Sequence, residues 1–334
     1  MPAQNEARSG NFLSRLLGRL FGNAPNSGQA MGLFHMRSEL AQLRSSLARL
    51  NSNYGRRDIN SVKALLATAN RRDFEAAVRD RVHTVPLPDG TVLCRVLGRY
   101  KVYVDAMDTS LAPYLMLEGY WQYWITAFLC RNLDAGETAY DLEAGYGYYA
   151  LLMSELVGNQ GRVVALEYNP WLYQLLRRNI ELNGRNNVII SQRMIAASKA
   201  SAAVELPVSL TGPSTGIHGV IQFRRSTSAN CSAPAMTLDG LELGSADLVR
   251  ISALALERGA LDGMRSVIER SPSLRILVDF VSERCSNPEE TLEALAKRFP
   301  LRFIDVDSRA KPINIEEILQ RKNVTLFLSQ TEPR

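Results

Sequence analysis

The sequence has no run of 18 apolar residues, so no transmembrane helix is expected. It also has no C-x-x-C. Its four cysteines, at 94, 130, 231 and 285, lie far apart, which argues against a zinc site or a redox pair. No metal is therefore expected, and a reduced, cytoplasmic setting fits best. The first thirty residues do not read as a signal peptide, because Arg15 and Arg19 interrupt the apolar stretch and Glu6 sits where a basic leader belongs. A large net charge is missing too. The chain sums to +5, but residues 1–83 hold 13 Lys/Arg against 6 Asp/Glu, a net +7, so the remainder sums to −2. A basic head without interleaved aromatics, on a near-neutral body, argues against nucleic acid as a partner.

What remains is ordinary for a globular protein: 334 residues, 46% apolar and 22% charged. That length accommodates one large domain with an appendage, or two domains. The reading adopted is a basic amphipathic segment over 1–30, a coiled-coil and helical region over 31–83, and a main domain over 84–334.

In "NFLSRLLGRLFG", Phe12, Leu13, Leu16, Leu17, Leu20 and Phe21 share one side of a helix, flanked by Arg15 and Arg19. Residues 11–22 thus suit peripheral contact with an anionic inner membrane face, or packing on protein. Leu33, Met36, Leu40, Leu43, Leu47, Leu50 and Tyr54 then alternate by three and four, the spacing of a coiled-coil seam. A homo-oligomer joined through residues 33–54 is expected, the alternative being a helix that covers the main domain. His35 lies beside this seam and reads as a surface residue. Residues 58–82 read as one or two further helices. "PLPDGTVLCRVLGRYKVYVDA" reads as a hairpin over 85–105 at the start of the main domain.

From residue 137 onward, short apolar runs alternate with helical segments. The expected strands are "TAYDL", "RVVALE", "NVIIS", "DLVRIS", "RILVDF", "RFIDV" and "VTLFLS". Helices are expected in "YYALLMSELVG", in "PWLYQLLRRNIELNG" with proline at its first position, and in "PEETLEALAKRF". The fold class is α/β: a seven-stranded, doubly wound, Rossmann-like sheet with helices on both faces.

In such sheets a ligand sits beyond the carboxyl ends of the strands, where the order reverses. The first strand ends at Asp141, and Gly145 and Gly147 follow in "DLEAGYGYYA" before a helix. Glycine there lets the backbone approach a ligand, and the helix start favours an anion. The second strand ends at Glu167, placed to accept the hydroxyls of a ribose. The pattern also matches G-x-G-x-x-A of dinucleotide binders. However, an acid at the strand end repels a pyrophosphate and suits the amino group of S-adenosylmethionine. An NAD-dependent oxidoreductase is therefore the remote alternative.

The stretch "LMLEGYWQYW…DLEAGYG…GRVVALEYNPWLYQLLRRNIELNG", with "AMTLDGL", "DLVRIS", "RILVDF" and "PINIEEILQRKNVTLFLS", resembles the FkbM family of S-adenosylmethionine-dependent methyltransferases. The resemblance spans about residues 85–330. It implies a class I methyltransferase fold, S-adenosylmethionine as cofactor, and O-methylation of a carbohydrate or lipid-linked acceptor in polysaccharide modification. By position, Asp141, Gly145 and Gly147 resemble the cofactor loop, Glu167 the ribose acid, and Asn169 lies in the adjoining turn.

The departures are equally specific. The family's first loop glycine is Glu143, and its loop asparagine is Gly145. The acid after G-Y-W is Gln122. A serine–aspartate pair after the third strand is Ala196-Ala197, and the acidic D-V-E-G after the fourth is Ser252-Ala253-Leu254-Ala255. Glu143 can repel the cofactor's carboxylate, face solvent, or grip the amine or sulfonium. Candidate bases are His218, in a Gly/Pro/Ser-rich loop, and Asp279, at the end of the fifth strand, for which the alternative is the cap of a helix. Glu118 precedes aromatics that suit either a sugar platform or packing. The leading expectation is methyl transfer. The second is a catalytically degenerate scaffold or regulator of glycan assembly that keeps the fold. For the coiled coil, deletion of residues 1–55 is expected to reduce the particle mass in light scattering, and an unchanged mass would remove the seam.

Overall fold

The structure is a computed structural model that describes residues 59–198, 204–207, 230–233, 235–241, 244–257 and 259–334. The expected segments 11–22 and 33–54, and His218, lie outside the described residues. Residues 58–334 belong to one compact unit.

Two short helices lead, α1 (Val62–Thr68) and α2 (Arg71–Arg79). Each starts at a side-chain cap: Ser61 accepts from the Ala64 N–H, and Asn70 from that of Asp73. Their apolar residues Val62, Phe74 and Val78 enter the same core as the main sheet. Next come β1 (Thr84–Pro86), β2 (Thr91–Val96) and β3 (Tyr100–Asp105). The expected hairpin is a three-stranded antiparallel sheet in the order β1-β2-β3. Two helices, α3 (Ala112–Leu117) and α4 (Tyr123–Asn132), lead into the first strand of the large sheet.

That sheet is built by β4 (Thr138–Leu142), α5 (Tyr148–Val157), β5 (Arg162–Leu166), α6 (Pro170–Leu182) and β6 (Val188–Ser191). Four small strands follow: β7 (Met194–Ile195), β8 (Val204–Pro207), β9 (Asn230–Ala233) and β10 (Ala235–Met236). The chain returns with β11 (Leu248–Ile251), α7 (Ala253–Glu257), α8 (Arg265–Arg270), β12 (Arg275–Val281) and α9 (Pro288–Ala296). It closes with β13 (Arg302–Ile304), β14 (Ala310–Pro312), α10 (Ile315–Arg321) and β15 (Asn323–Leu328). The order is β14-β13-β15-β12-β11-β4-β5-β6. All seven expected strands are present. An eighth, β14, adds at the edge because Ala310–Pro312 folds back on β13. Strands β4, β5, β6, β11 and β12 run parallel, and β15 is antiparallel to both its neighbours.

Alternation along the strands divides the core into two faces. Ala139, Val163, Ala165, Leu248, Leu277 and Phe327 point to one, beside α4, α5 and α6. Tyr140, Val164, Val249, Ile276 and Leu326 point to the other. The chain leaves β4 towards β5 and β6, then crosses back to β11, so the order reverses between β4 and β11.

The free edge of β3 is closed in an uncommon way. Asn179 and Asn183 stand one turn apart on and just after α6, on one helix side. The Asn179 amide accepts from the Tyr103 N–H at 2.7 Å and donates to the Tyr103 carbonyl at 3.0 Å. Asn183 does the same for Lys101, at 3.0 and 2.7 Å. Two side chains thus stand in for a neighbouring strand and satisfy its edge. Asn179 also donates to the carbonyl of Tyr146, in the glycine loop. Asn179→Ala orphans these buried groups, so a loss of about 2–4 kcal/mol is expected in urea unfolding. A loss below about 1 kcal/mol would remove this role.

Candidate functional site

The carboxyl ends of β4, β5, β11 and β12 meet at the reversal. Asp141 lies fully buried one residue before the end of β4, and Arg250 is its register partner on β11. Arg250 donates from Nη1 to Asp141 Oδ1 at 3.0 Å and from Nη2 to Asp279 Oδ2 at 2.8 Å. Its guanidinium carbon lies 4.4 Å from the centre of the Tyr149 ring. Burial works against the charge of Arg250, but Asp279 and then Asp141 outweigh it and raise its pKa. Burial raises the pKa of Asp141, and Arg250 offsets only part of that. Asp141 Oδ2 is buried without a hydrogen-bond partner, with only weak support from the Ala150 N–H.

Asp279 is 7% exposed, and its Oδ1 accepts from the Thr325 hydroxyl at 2.9 Å. Both oxygens of this base candidate are therefore engaged within the protein. Its place is a buried ion pair on the sheet face, where the sequence reading set a helix cap against a base.

The loop "DLEAGYG" leaves β4 in a left-handed conformation. Glu143, Gly145 and Gly147 have φ values of 65°, 57° and 86°. For glycine this is unstrained, whereas for Glu143 it costs roughly 1–2 kcal/mol. The Glu143 carboxylate accepts a short hydrogen bond from the Ser252 hydroxyl, beyond the end of β11. The bond spans the two strands that flank the reversal. Ser252 is held in turn, its Oγ accepting from the Ala255 N–H in α7 at 3.3 Å.

Glu167 follows β5 and is 2% exposed. Its two oxygens accept from the N–H groups of Gly145 and Asn169, each at 2.8 Å. Burial, and then the nearby Glu143 carboxylate, push its pKa up to about 8, while these N–H groups pull it back. Asn169 is the cap of α6: its side-chain oxygen accepts from the N–H groups of Trp171 and Leu172. The structure thus brings Asp141, Glu143, Gly145, Gly147, Glu167 and Asn169 together around one loop.

The three tyrosines of "GYGYYA" anchor that loop. Tyr146 donates to Asp108 at 3.0 Å, and Tyr149 donates to Gln122 Oε1 at 2.6 Å. Tyr148 and Thr126 share a 2.9 Å bond. Gln122, also left-handed at φ 40°, is a neutral acceptor for Tyr149. The neighbouring aromatics are partly buried against the core, with Tyr114 and Trp121 edge to face at 4.8 Å. Glu118 pairs with Arg79 on α2. Sequence reasoning missed Arg250, Ser252 as a partner of Glu143, and the tyrosine anchors. A lone arginine inside the apolar strand "DLVRIS" was the available signal for the first.

These residues suit S-adenosylmethionine. The buried, orphaned Asp141 Oδ2, the half-buried Glu143 and the buried Glu167 form an acid-rich set for a cation and hydroxyls. The start of α5 offers N–H groups to a carboxylate. Among the described residues, no cluster of His, Cys, Asp and Glu is arranged to hold a metal, and no helix is long and apolar enough to cross a membrane.

Residues 127–202 match the TRM5/TYW2 methyltransferase domain. A protein-L-isoaspartate O-methyltransferase of Archaeoglobus fulgidus is 35% identical over 68 residues, 20% of this chain and 32% of the relative. That of Thermotoga maritima is 32% identical over 87 residues, 26% of each. That of Caenorhabditis elegans is 29% identical over 118 residues, 34% of this chain and 52% of the relative. The chain therefore spans about a quarter to a half of the length of these relatives. Among solved structures, FkbM methyltransferase from Methylobacillus flagellatus is 13% identical, covering 57% of this chain and 43% of that one, with a TM-score of 0.37. Trm5b from Pyrococcus abyssi is 16% identical, covering 72% and 55%, with a TM-score of 0.35. The matched segment runs through the glycine loop and Glu167. With the sheet order, it gives the chain a class I methyltransferase fold, with S-adenosylmethionine as cofactor.

The pKa of Glu167 has a consequence for stability. In the unfolded chain this group ionises near 4.5, in the folded one near 8. Between these values the native state binds the extra proton, so stability falls as pH rises from about 4.5 to about 8 and is level on either side. The slope from this group is at most about 1.4 kcal/mol per pH unit. Glu167→Gln is expected to flatten that decline in denaturant titrations across the window. An equal slope in the variant would show that Glu167 is ionised throughout.

Proposed function

We propose that this chain transfers a methyl group from S-adenosylmethionine to a hydroxyl of a carbohydrate or lipid-linked acceptor. The supporting observation is the placement of Asp141, Glu143 and Glu167 around one glycine loop at the strand-order reversal, where it opens α5. When bound, the cofactor supplies an electrophilic methyl group on a cationic sulfonium. Glu167 meets the ribose hydroxyls, Gly145 and Gly147 admit the backbone, and the α5 start faces the anionic end. Arg250, through Asp141 and Asp279, keeps the three strand ends in register. The Gln122–Tyr149 bond holds the aromatic turn beside the crevice. Positioning of this kind is what an in-line displacement requires.

The acceptor class rests on the sequence resemblance and on Tyr114, half exposed beside Trp121, which offers flat ring surface to a sugar face. The names of the relatives point instead to protein or RNA acceptors. Assembly through residues 33–54, and membrane contact through residues 11–22, belong to the same proposal. A second reading, a scaffold or regulator that keeps the fold without the chemistry, is favoured by one observation. Glu143 and Glu167 are already hydrogen-bonded to the protein's own Ser252, Gly145 and Asn169.

Calorimetry with S-adenosylmethionine and NAD, followed by transfer of a labelled methyl group to glycan, peptide and RNA acceptors, separates these readings. Micromolar binding of the methyl donor is expected, with label on the glycan alone. No donor binding at millimolar concentration sinks the enzyme reading. Binding without transfer to any acceptor supports the second reading, and label on peptide or RNA removes the glycan.

A further inference from the structure

Four carboxylates stand at the strand-order reversal, and they are not equivalent. Asp141 and Asp279 are buried and joined through Arg250, and Glu167 is buried and held by two backbone N–H groups. Glu143 alone among these four is partly exposed. It is also the one set on a left-handed backbone, in a loop whose other left-handed positions are glycines. Such strain persists where the surroundings over-determine it and is concentrated at working sites. Here the surroundings include the Ser252 hydroxyl, which the start of α7 fixes from the far side of the reversal. The carboxylate is thereby held over the gap between β4 and β11, the crevice in which such sheets bind ligands.

We infer that Glu143, held by Ser252, is the residue by which this site distinguishes the cationic sulfonium donor from the neutral thioether product. The inference rests on the methyl-transfer reading above and deepens it. The donor and S-adenosylhomocysteine differ by a methyl group and one positive charge on sulfur. A carboxylate fixed beside that sulfur attracts the donor, and the attraction vanishes when the methyl group leaves. Product release is favoured, and the strained backbone at Glu143 is retained for that gain. The raised pKa of Glu167 agrees with this division, since Glu143 is among the groups that keep Glu167 protonated.

Equilibrium calorimetry on the full chain tests this without any turnover. Three probes are titrated: S-adenosylmethionine, S-adenosylhomocysteine, and an aza analogue with a protonated amine in place of the sulfonium. Glu143→Gln keeps the size and the hydrogen bond but removes the charge. It is expected to weaken both cationic probes about tenfold, the worth of a charge pair near 4 Å at a partly exposed site, and to leave the thioether within about twofold. Ser252→Ala, which removes this hydrogen bond but keeps the charge, is expected to lower the same donor-to-product ratio about two- to threefold. An unchanged ratio in Glu143→Gln overturns the inference alone. So does equal weakening of all three probes, which marks a purely structural role. If the unaltered protein binds none of the three, the methyl-donor reading itself fails, and the inference with it.

Discussion

Arg250 ties β11 to both of its neighbours through side chains, to Asp141 on β4 and to Asp279 on β12. Thr325 extends the chain of contacts to β15, and the Tyr149 ring covers the guanidinium. Backbone ladders set the register of the same strands, and the ionic chain adds side-chain ties across it, each member being a register partner or near neighbour across the sheet. Burial of three charges is costly, and only their mutual pairing compensates it. Removing one member of such a set leaves an uncompensated buried charge, typically worth 3–5 kcal/mol. The arrangement is therefore all-or-none, which suits a platform that must hold a cofactor loop at fixed height.

Above that platform, polar groups are sorted by depth. The buried acids Asp141 and Asp279 share Arg250 as partner. Glu167 is kept near neutrality by burial and by Glu143. Glu143 remains at the crevice, hydrogen-bonded to Ser252. A second layer holds the loop from the other side, where Tyr146, Tyr148 and Tyr149 each bond a group outside the sheet: Asp108, Thr126 and Gln122. Loop, aromatic turn and strand ends consequently form one hydrogen-bonded assembly. Asn179 adds a further tie, joining β3 to the Tyr146 carbonyl.

Much of this was legible in the chain. All seven strands were visible as apolar runs, four of them, β4, β5, β11 and β12, because a parallel strand buried on both faces has a continuous apolar signature. Pro170, and the Asn183–Gly184 pair at the other end, marked α6 through local backbone preferences that need no tertiary contact. The glycine pair and the acids after β4 and β5 followed from the same local logic. The short strands β1 and β14 were not legible. Three residues carry too little periodicity to read, and their pairing depends on where the chain folds back. Asn179 and Asn183 were visible only as part of a motif. Their work as a substitute strand depends on β3 lying alongside α6.

Sequence by itself determined the α/β alternation, the strand count apart from the edge, and the glycine loop that follows β4. Those features follow from periodicity and backbone stereochemistry over a few residues. Which charges remain at the site was decided only by the tertiary structure. Asp141, Glu143, Glu167 and Asp279 are all plain carboxylates in the chain, with ordinary intrinsic acidities. Packing places Arg250 between two of them, backbone N–H groups on the third, and a serine from a distant strand on the fourth. Electrostatic character depends on burial and on partners far apart in sequence, and folding alone supplies both.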